Sequence, residues 1–207
     1  MHQSIPVTAL FVDIGGVMLT NGWGRASRKL AADKFNLDVI DFEERHQLAF
    51  VTYEEGKLTM EDYLRRVIFY KTRSFSPDQF RDFIFDQSAP YTEMIELIKK
   101  LKAMYRLKIA VVSNEARELN DYRIDKFQLN SFVDFFISSC FVHLRKPDPE
   151  IFRLALDIAK VPAGQVLYID DVEMFVDVAR DLGIRSIHHH EYATTIEALA
   201  SAGLILH

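Results

Sequence analysis

Four short apolar runs, at residues 7–12, 107–112, 132–137 and 165–169, each lead directly into polar or acidic residues. Runs of this length with no polar alternation are strands hidden on both faces. A parallel sheet covered by helices on both sides supplies that environment. A fifth, shorter candidate lies at 184–187.

Between these runs the sequence takes up helical period. Met94, Leu97, Ile98, Leu101 and Met104 repeat at three and four, with Thr92 placed to act as N-cap. Ile151, Phe152, Ala155, Ile158 and Ala159 form a second stripe in 148–160, with Asp148 as N-cap and Pro149 at the first helical position. A third stripe, Phe175, Val178, Ala179 and Leu182, ends at Gly183, a residue suited to a helix stop. The alternation predicts an α/β fold with a doubly wound, Rossmann-type parallel sheet.

One connection is oversized. Asp13 and Ser113 are 100 positions apart, whereas a strand–helix–strand crossover needs roughly 30 residues. The intervening segment is aromatic-rich and shows helical stretches but no clear strand. Thr59-Met-Glu-Asp62 and Ser76-Pro-Asp-Gln79 have the form of capping boxes, which start helices near Thr59 and Ser76. The expected organisation is an α/β core of residues 1–20 and 89–207, with a small helical cap at 21–88.

Composition narrows the partners. A net charge of −5 leaves no broad basic footprint, so neither nucleic acid nor an anionic membrane is an expected partner. No apolar run approaches the roughly 20 residues that span a bilayer. The first residues lack a basic stretch before their apolar run, which Asp13 interrupts, so no signal peptide is expected. A lone cysteine, Cys140, fits a reducing compartment. The expected location is cytoplasmic.

In an open parallel sheet, ligands bind beyond the carboxyl ends of the strands. Asp13, Ser113-Asn114 and Asp170-Asp171 stand at three such ends, and Lys146 lies in the loop after the third strand. The fold would gather them on one rim. Three carboxylates crowded together raise one another's pKa unless a cation intervenes, and Mg²⁺ is commonly held by one or two carboxylates with waters and phosphate oxygens. Ser113 and Asn114 offer donors for phosphate oxygens, Lys146 offers positive charge, and Asp13 offers a nucleophilic carboxylate.

These residues carry a resemblance. Phe11-Val-Asp13-Ile-Gly-Gly-Val, Val111-Val-Ser113-Asn114, Lys146-Pro-Asp-Pro-Glu-Ile-Phe152 and Leu167-Tyr-Ile-Asp170-Asp171 resemble, in order, the four motifs of the haloacid dehalogenase superfamily. The resemblance implies that Asp13 is nucleophile and metal ligand, that Ser113 and Lys146 hold the phosphoryl group, and that Asp171, with Asp170 beside it, completes a Mg²⁺ site. It also implies a metal contact through the backbone carbonyl of Gly15, and a cap inserted after the first motif. The substrate class it implies is a small phosphoester. Phosphatases of this family usually carry an Asp at the Gly15 position as acid and base, a role worth about 10²–10⁴ in rate. Phe175 replaces an Asn common among relatives.

Two other readings accompany the resemblance: a 2-haloacid dehalogenase, in which the carboxylate attacks carbon, and a fold that binds without turnover. Elsewhere the bland readings prevail. The cap aromatics and Trp23 read mainly as core, with Trp23 and Arg25 also placed to meet substrate. Consecutive His188-His189-His190 would not share a face, so no metal site is expected there.

Overall fold

The computed structural model describes residues 5–206; residues 1–4, which enter the reading of the N-terminus, lie outside it. Strand β1 (Ala9–Val12) is wholly buried, and its residues divide by the period of two. Leu10 and Val12 join one apolar cluster, Ala9 and Phe11 another on the opposite face.

The sheet is completed by β2 (Lys108–Ser113), β3 (Phe135–Ser138), β4 (Val166–Asp170) and β5 (Arg185–His188), in the order β3-β2-β1-β4-β5, with every pairing parallel. The direction of winding changes at β1, so the crevice for a ligand opens beyond its carboxyl end.

The helices in chain order are α1 (Arg25–Phe35), α2 (Val39–Glu54), α3 (Met60–Val67), α4 (Pro77–Asp86), α5 (Thr92–Tyr105), α6 (Arg117–Lys126), α7 (Ser139–Val142), α8 (Pro149–Ala159), α9 (Glu173–Asp181) and α10 (Tyr192–Ser201). Helices α5 and α10 cover one face of the sheet; α8 and α9 cover the other. All five expected strands form, with starts displaced by up to three residues. The largest displacement is at β3: Phe132 and Val133 are buried against the α5 face, but they pack from a loop and do not join the ladder.

Capping sets the helix starts. Asp148 accepts from the Glu150 amide at 2.9 Å and Pro149 opens α8, as the sequence predicts. Ser76 and Gln79 close a full box at α4. Thr59 caps α3, but Asp62 pairs with the Thr59 hydroxyl and Arg65 and does not return to the Thr59 amide. Thr92 is the first residue of α5 and not its cap. Tyr91 stands at the cap position because its amide is held by the Met18 carbonyl at 2.9 Å.

Residues 25–86 contribute four helices and no strand, built around a separate apolar cluster with Tyr63 and Phe80 at its centre. Phe35, Phe75 and Phe83 ring Phe80 at centroid distances of 4.8, 5.8 and 6.4 Å. Removing that ring by Phe80→Ala would cost about 3–5 kcal/mol. Ala116 and Leu119 of the α6 region complete the cluster, so this helical unit also packs on the sheet-bearing part.

The two chain crossings between the parts are tied together. The Thr20 hydroxyl donates to the Gln87 carbonyl at 2.7 Å and accepts from the Ala89 amide at 3.0 Å. Buried Arg123 donates to the Thr20 carbonyl, to Ser88 Oγ at 3.0 Å and to Glu115. None of the helices in the described residues is long and apolar enough to cross a membrane.

Candidate active site

Parallel register brings the strand ends level. Val12 lies opposite Val111 and Ile169, so Asp13 comes level with Asp170 and one residue short of Ser113. Asp13, Asp170 and Asp171 each present an oxygen within 4.8 Å of the others. The fully buried Lys146 ammonium enters this group, 3.0 Å from Asp13 Oδ2 and 2.6 Å from Asp170 Oδ2.

The acids differ in how far protein donors already satisfy them. Asp170 accepts from Lys146 and the Tyr168 hydroxyl on Oδ2, and from the Val172 amide on Oδ1 at 2.8 Å. Asp171 accepts from Asn21 Nδ2 at 3.2 Å. Asp13 Oδ1 accepts from the Ile14 amide at 2.7 Å. Asp13 and Asp171 therefore keep the most open oxygen valence, and Asp170 the least.

Electrostatics follow from burial. Burial raises the Asp13 pKa to about 7; Lys146 opposes the rise, and the Asp170 and Asp171 charges add to it. For Lys146, burial alone would lower the pKa, but the Asp13 and Asp170 charges outweigh it and hold the ammonium above its ordinary value. One cation faces three acids here, so negative charge remains to be balanced. The donor set is all oxygen, which suits a hard divalent ion.

Ser113 Oγ is buried and, among the described residues, finds no partner in good hydrogen-bond geometry, although it lies close enough to Asp13 to favour the carboxylate form. A buried hydroxyl without a partner is costly, and an incoming phosphate oxygen would relieve it. Asn114 departs from its expected part. Its amide pairs with the Lys146 backbone in both directions at 2.8 Å, so it holds the lysine loop.

Gly15 lines the cleft, and among the described residues its carbonyl accepts no hydrogen bond. The space an Asp side chain would enter is occupied: a Cβ on Gly15 would stand 2.8 Å from Asn21 Oδ1. Gly16, at φ +72°, is required on two counts, since a Cβ there would fall 2.0 Å from Asp171 Oδ2. Phe175, in the place of a polar relative, sets its ring 5.0 Å from Lys146 Nζ.

Asp13, Gly15, Ser113, Asp171 and Phe175 line the floor of a cleft of about 560 Å³, with Lys146 and Asp170 buried behind them. Its walls come from the α1–α2 region and include Trp23, His46, Phe50 and Glu54. Glu54 pairs with Arg145 at 2.6 Å and joins the helical unit to the lysine loop. Trp23 lines the cleft while packing on Phe80 at 5.8 Å, so it belongs to the helical core as expected and also reaches the cleft, as does Arg25.

Three contributors escaped the sequence reading: Asn21, Tyr168 and His46. Only Tyr168 left a signal, standing two residues before Asp170 and so on the same side of the strand. The histidine run needs a correction. His188 ends β5 and His190 lies in the bend beyond it, yet their rings meet at 3.9 Å. His188 Nε2 contacts the Asp171 carbonyl at 3.1 Å, and buried His189 contacts Thr195.

The sequence matches the family model for haloacid dehalogenase-like hydrolases over residues 7–201. The chain belongs to that family. Among curated relatives, a pig bifunctional epoxide hydrolase 2 is 38% identical over 72 residues, covering 35% of this chain and 13% of that protein. A putative pyrophosphatase PpaX from Caldanaerobacter subterraneus subsp. tengcongensis is 27% identical, covering 77% of this chain and 81% of the relative. The fold resembles the haloacid dehalogenase-family enzyme bt-2542 of Bacteroides thetaiotaomicron, solved with magnesium and inorganic phosphate. The TM-score is 0.75 at 21% identity, covering 91% of this chain and 98% of that one. The chain thus spans about an eighth of the epoxide hydrolase's length, whereas it matches most of a relative named as a putative pyrophosphatase.

Proposed function

We propose that this hydrolase is a Mg²⁺-dependent phosphatase of small phosphorylated metabolites, working through an aspartyl-phosphate on Asp13. The observation that carries the reading is the convergence of Asp13, Asp171 and the Ser113 hydroxyl on the floor of a single cleft, with Lys146 and Asp170 buried directly behind Asp13. A halide cradle, as a 2-haloacid dehalogenase needs, has no use for three acids.

Asp13, Asp171 and the Gly15 carbonyl would hold the ion, with Asp170 beside them keeping Lys146 in place. When bound, Mg²⁺ supplies positive charge that keeps Asp13 ionised and offsets charge on the phosphoryl oxygens. The Ser113 hydroxyl and Lys146 ammonium bind those oxygens. An Asp13 carboxylate oxygen attacks phosphorus as the phosphorus–oxygen bond to the leaving group breaks and the departing oxygen takes a proton. Water then attacks the aspartyl-phosphate, releasing inorganic phosphate and restoring the carboxylate. Gly15 has no side chain to move either proton, so esters with good leaving groups are favoured. The helical unit of residues 21–88 acts as the cap that chooses among leaving groups.

Phosphate release from a panel of aryl and alkyl monoesters, with Mg²⁺ and with excess chelator, tests the reading. Turnover that requires Mg²⁺ is expected. Turnover that persists undiminished in chelator would overturn the metal-assisted mechanism.

A further inference from the structure

His46 sits on α2, is 6% exposed, and lines the same cleft as Asp13 and Asp171. Its hydrogen bonding can be worked out from donors and acceptors alone. Trp23 Nε1 has a proton to give and no lone pair to receive one. It lies 2.9 Å from the Tyr63 hydroxyl, which therefore accepts from it. Tyr63 is fully buried, and its own proton needs an acceptor. Besides Trp23, the partner of that hydroxyl among the described residues is His46 Nδ1, at 2.8 Å. The Tyr63 proton therefore goes to Nδ1. Nδ1 is the acceptor nitrogen of the ring, and the imidazole proton resides on Nε2.

Nε2 makes no hydrogen bond to the described residues, and it is not among the polar atoms sealed from solvent. It opens on the cleft. The ring is held on both sides, stacked on Phe50 at 5.2 Å and edge-on to Tyr63 at 6.0 Å. Tyr63 is itself fixed by stacking on Tyr53 at 4.3 Å. The result is a pre-aimed donor whose rotamer and tautomer are both set before anything binds. Such a group selects an acceptor and rejects a donor, at no cost in ordering.

Resting on the phosphatase reading of this cleft, we propose that His46 presents its Nε2–H to a carbonyl or hydroxyl oxygen on the leaving-group portion of the substrate. The preferred substrates are then phosphate esters whose leaving group bears such an oxygen. His46 is a specificity-determining residue, and Tyr63 and Trp23 position it. Its low basicity agrees with the role. Burial first, and the Arg28 charge second, lower its pKa to about 4, so the ring donates as a neutral imidazole and is not a proton source near pH 7.

The test combines two readouts on the full chain. Long-range proton–nitrogen NMR of His46 should report the Nε2–H tautomer at pH 7. The Nε2–H signal should move when 3-hydroxyacetophenone is added, and less with phenol. In kinetics with phenyl phosphate and 3-acetylphenyl phosphate, His46→Phe should reduce kcat/KM for the acetyl ester about 10-fold more than for the phenyl ester, mostly through KM. His46→Gln, which keeps an N–H donor, should recover most of that difference.

An Nδ1–H tautomer, or equal losses for both esters in a folded His46→Phe variant, would overturn the proposal. If neither ester is hydrolysed while Nε2–H still responds to the acetyl phenol, the phosphatase reading fails and the donor assignment stands.

Discussion

The carboxylate of Asp171 rests where a side chain on Gly16 would begin, with Oδ2 2.0 Å from the position of that missing Cβ. The turn after the first strand and the acid at the end of the fourth are thus packed through the absence of a side chain. Gly16→Ala is expected to cost about 1–2 kcal/mol from its left-handed backbone alone, and more from displacing Asp171. The apparent affinity for Mg²⁺ should weaken with it. Thermal melting with and without Mg²⁺ measures both; a variant stabilised by Mg²⁺ as strongly as the wild type would detach Asp171 from the ion site.

Asp13→Asn should lower kcat/KM by about 10³-fold or more while the protein remains folded, because an amide neither attacks phosphorus well nor binds a hard cation. Kinetics and melting should be run on the same preparation. Retention of more than about a tenth of the rate would remove Asp13 from the nucleophilic role.

At Gly15 the backbone is not in the left-handed region, and the obstacle to a side chain is the far end of Asn21. Gly15→Asp should therefore fold, with Asn21 rotating away and giving up its bond to Asp171. Alkyl esters need their leaving oxygen protonated more than aryl esters do. Turnover of alkyl esters should then rise by about 10-fold relative to aryl esters. Adding Asn21→Ala to Gly15→Asp should enlarge the gain by clearing the space. Unchanged alkyl-to-aryl selectivity in both folded variants would place the deficit elsewhere.

His46 gives the stability a pH dependence of definite sign. Its folded-state pKa of about 4 lies below the ordinary 6.5, owing to burial first and then the Arg28 charge, with Glu43 opposing. The unfolded chain binds a proton on this ring between those values and the folded chain does not. Stability from this group is therefore complete above pH 6.5 and falls as pH drops toward 4. The full loss is about 3 kcal/mol at ~1.4 kcal/mol per pKa unit. Denaturant melts at pH 7 and pH 4.5 should show a smaller difference in His46→Gln than in wild type. Parallel losses in the two would mean that His46 is not held neutral.

The strands and the residues at their ends were legible because burial on both faces leaves an unbroken apolar signature that stops where the polar rim begins. Asp13, Ser113 and Asp170 are all read this way. What was not legible depends on side chains meeting across long separations. Asn21 is an ordinary polar residue in a glycine-rich stretch until the fold brings it to Gly15 and Asp171, which is 150 positions away. His46 carries no motif, and its tautomer follows from Tyr63 on another helix. Asn114 sits beside Ser113 and shares its strand end, yet the lysine loop claims its amide. At Thr59 the sequence pattern was present, but an Asp is one methylene shorter than the Glu or Gln that closes such a box.

Arg123 grips the chain where it leaves the sheet-bearing part at Thr20 and where it returns at Ser88. One guanidinium thus fixes both ends of the helical unit, which is held further by the packing of Ala116 and Leu119 and by the Glu54–Arg145 pair. A helical unit of different length or shape could be spliced between those residues without moving the strand that carries Asp13, provided its ends lie equally close and it keeps an acid for Arg145. On the proposed function, such a scaffold separates the inheritance of chemistry from the inheritance of taste for a substrate.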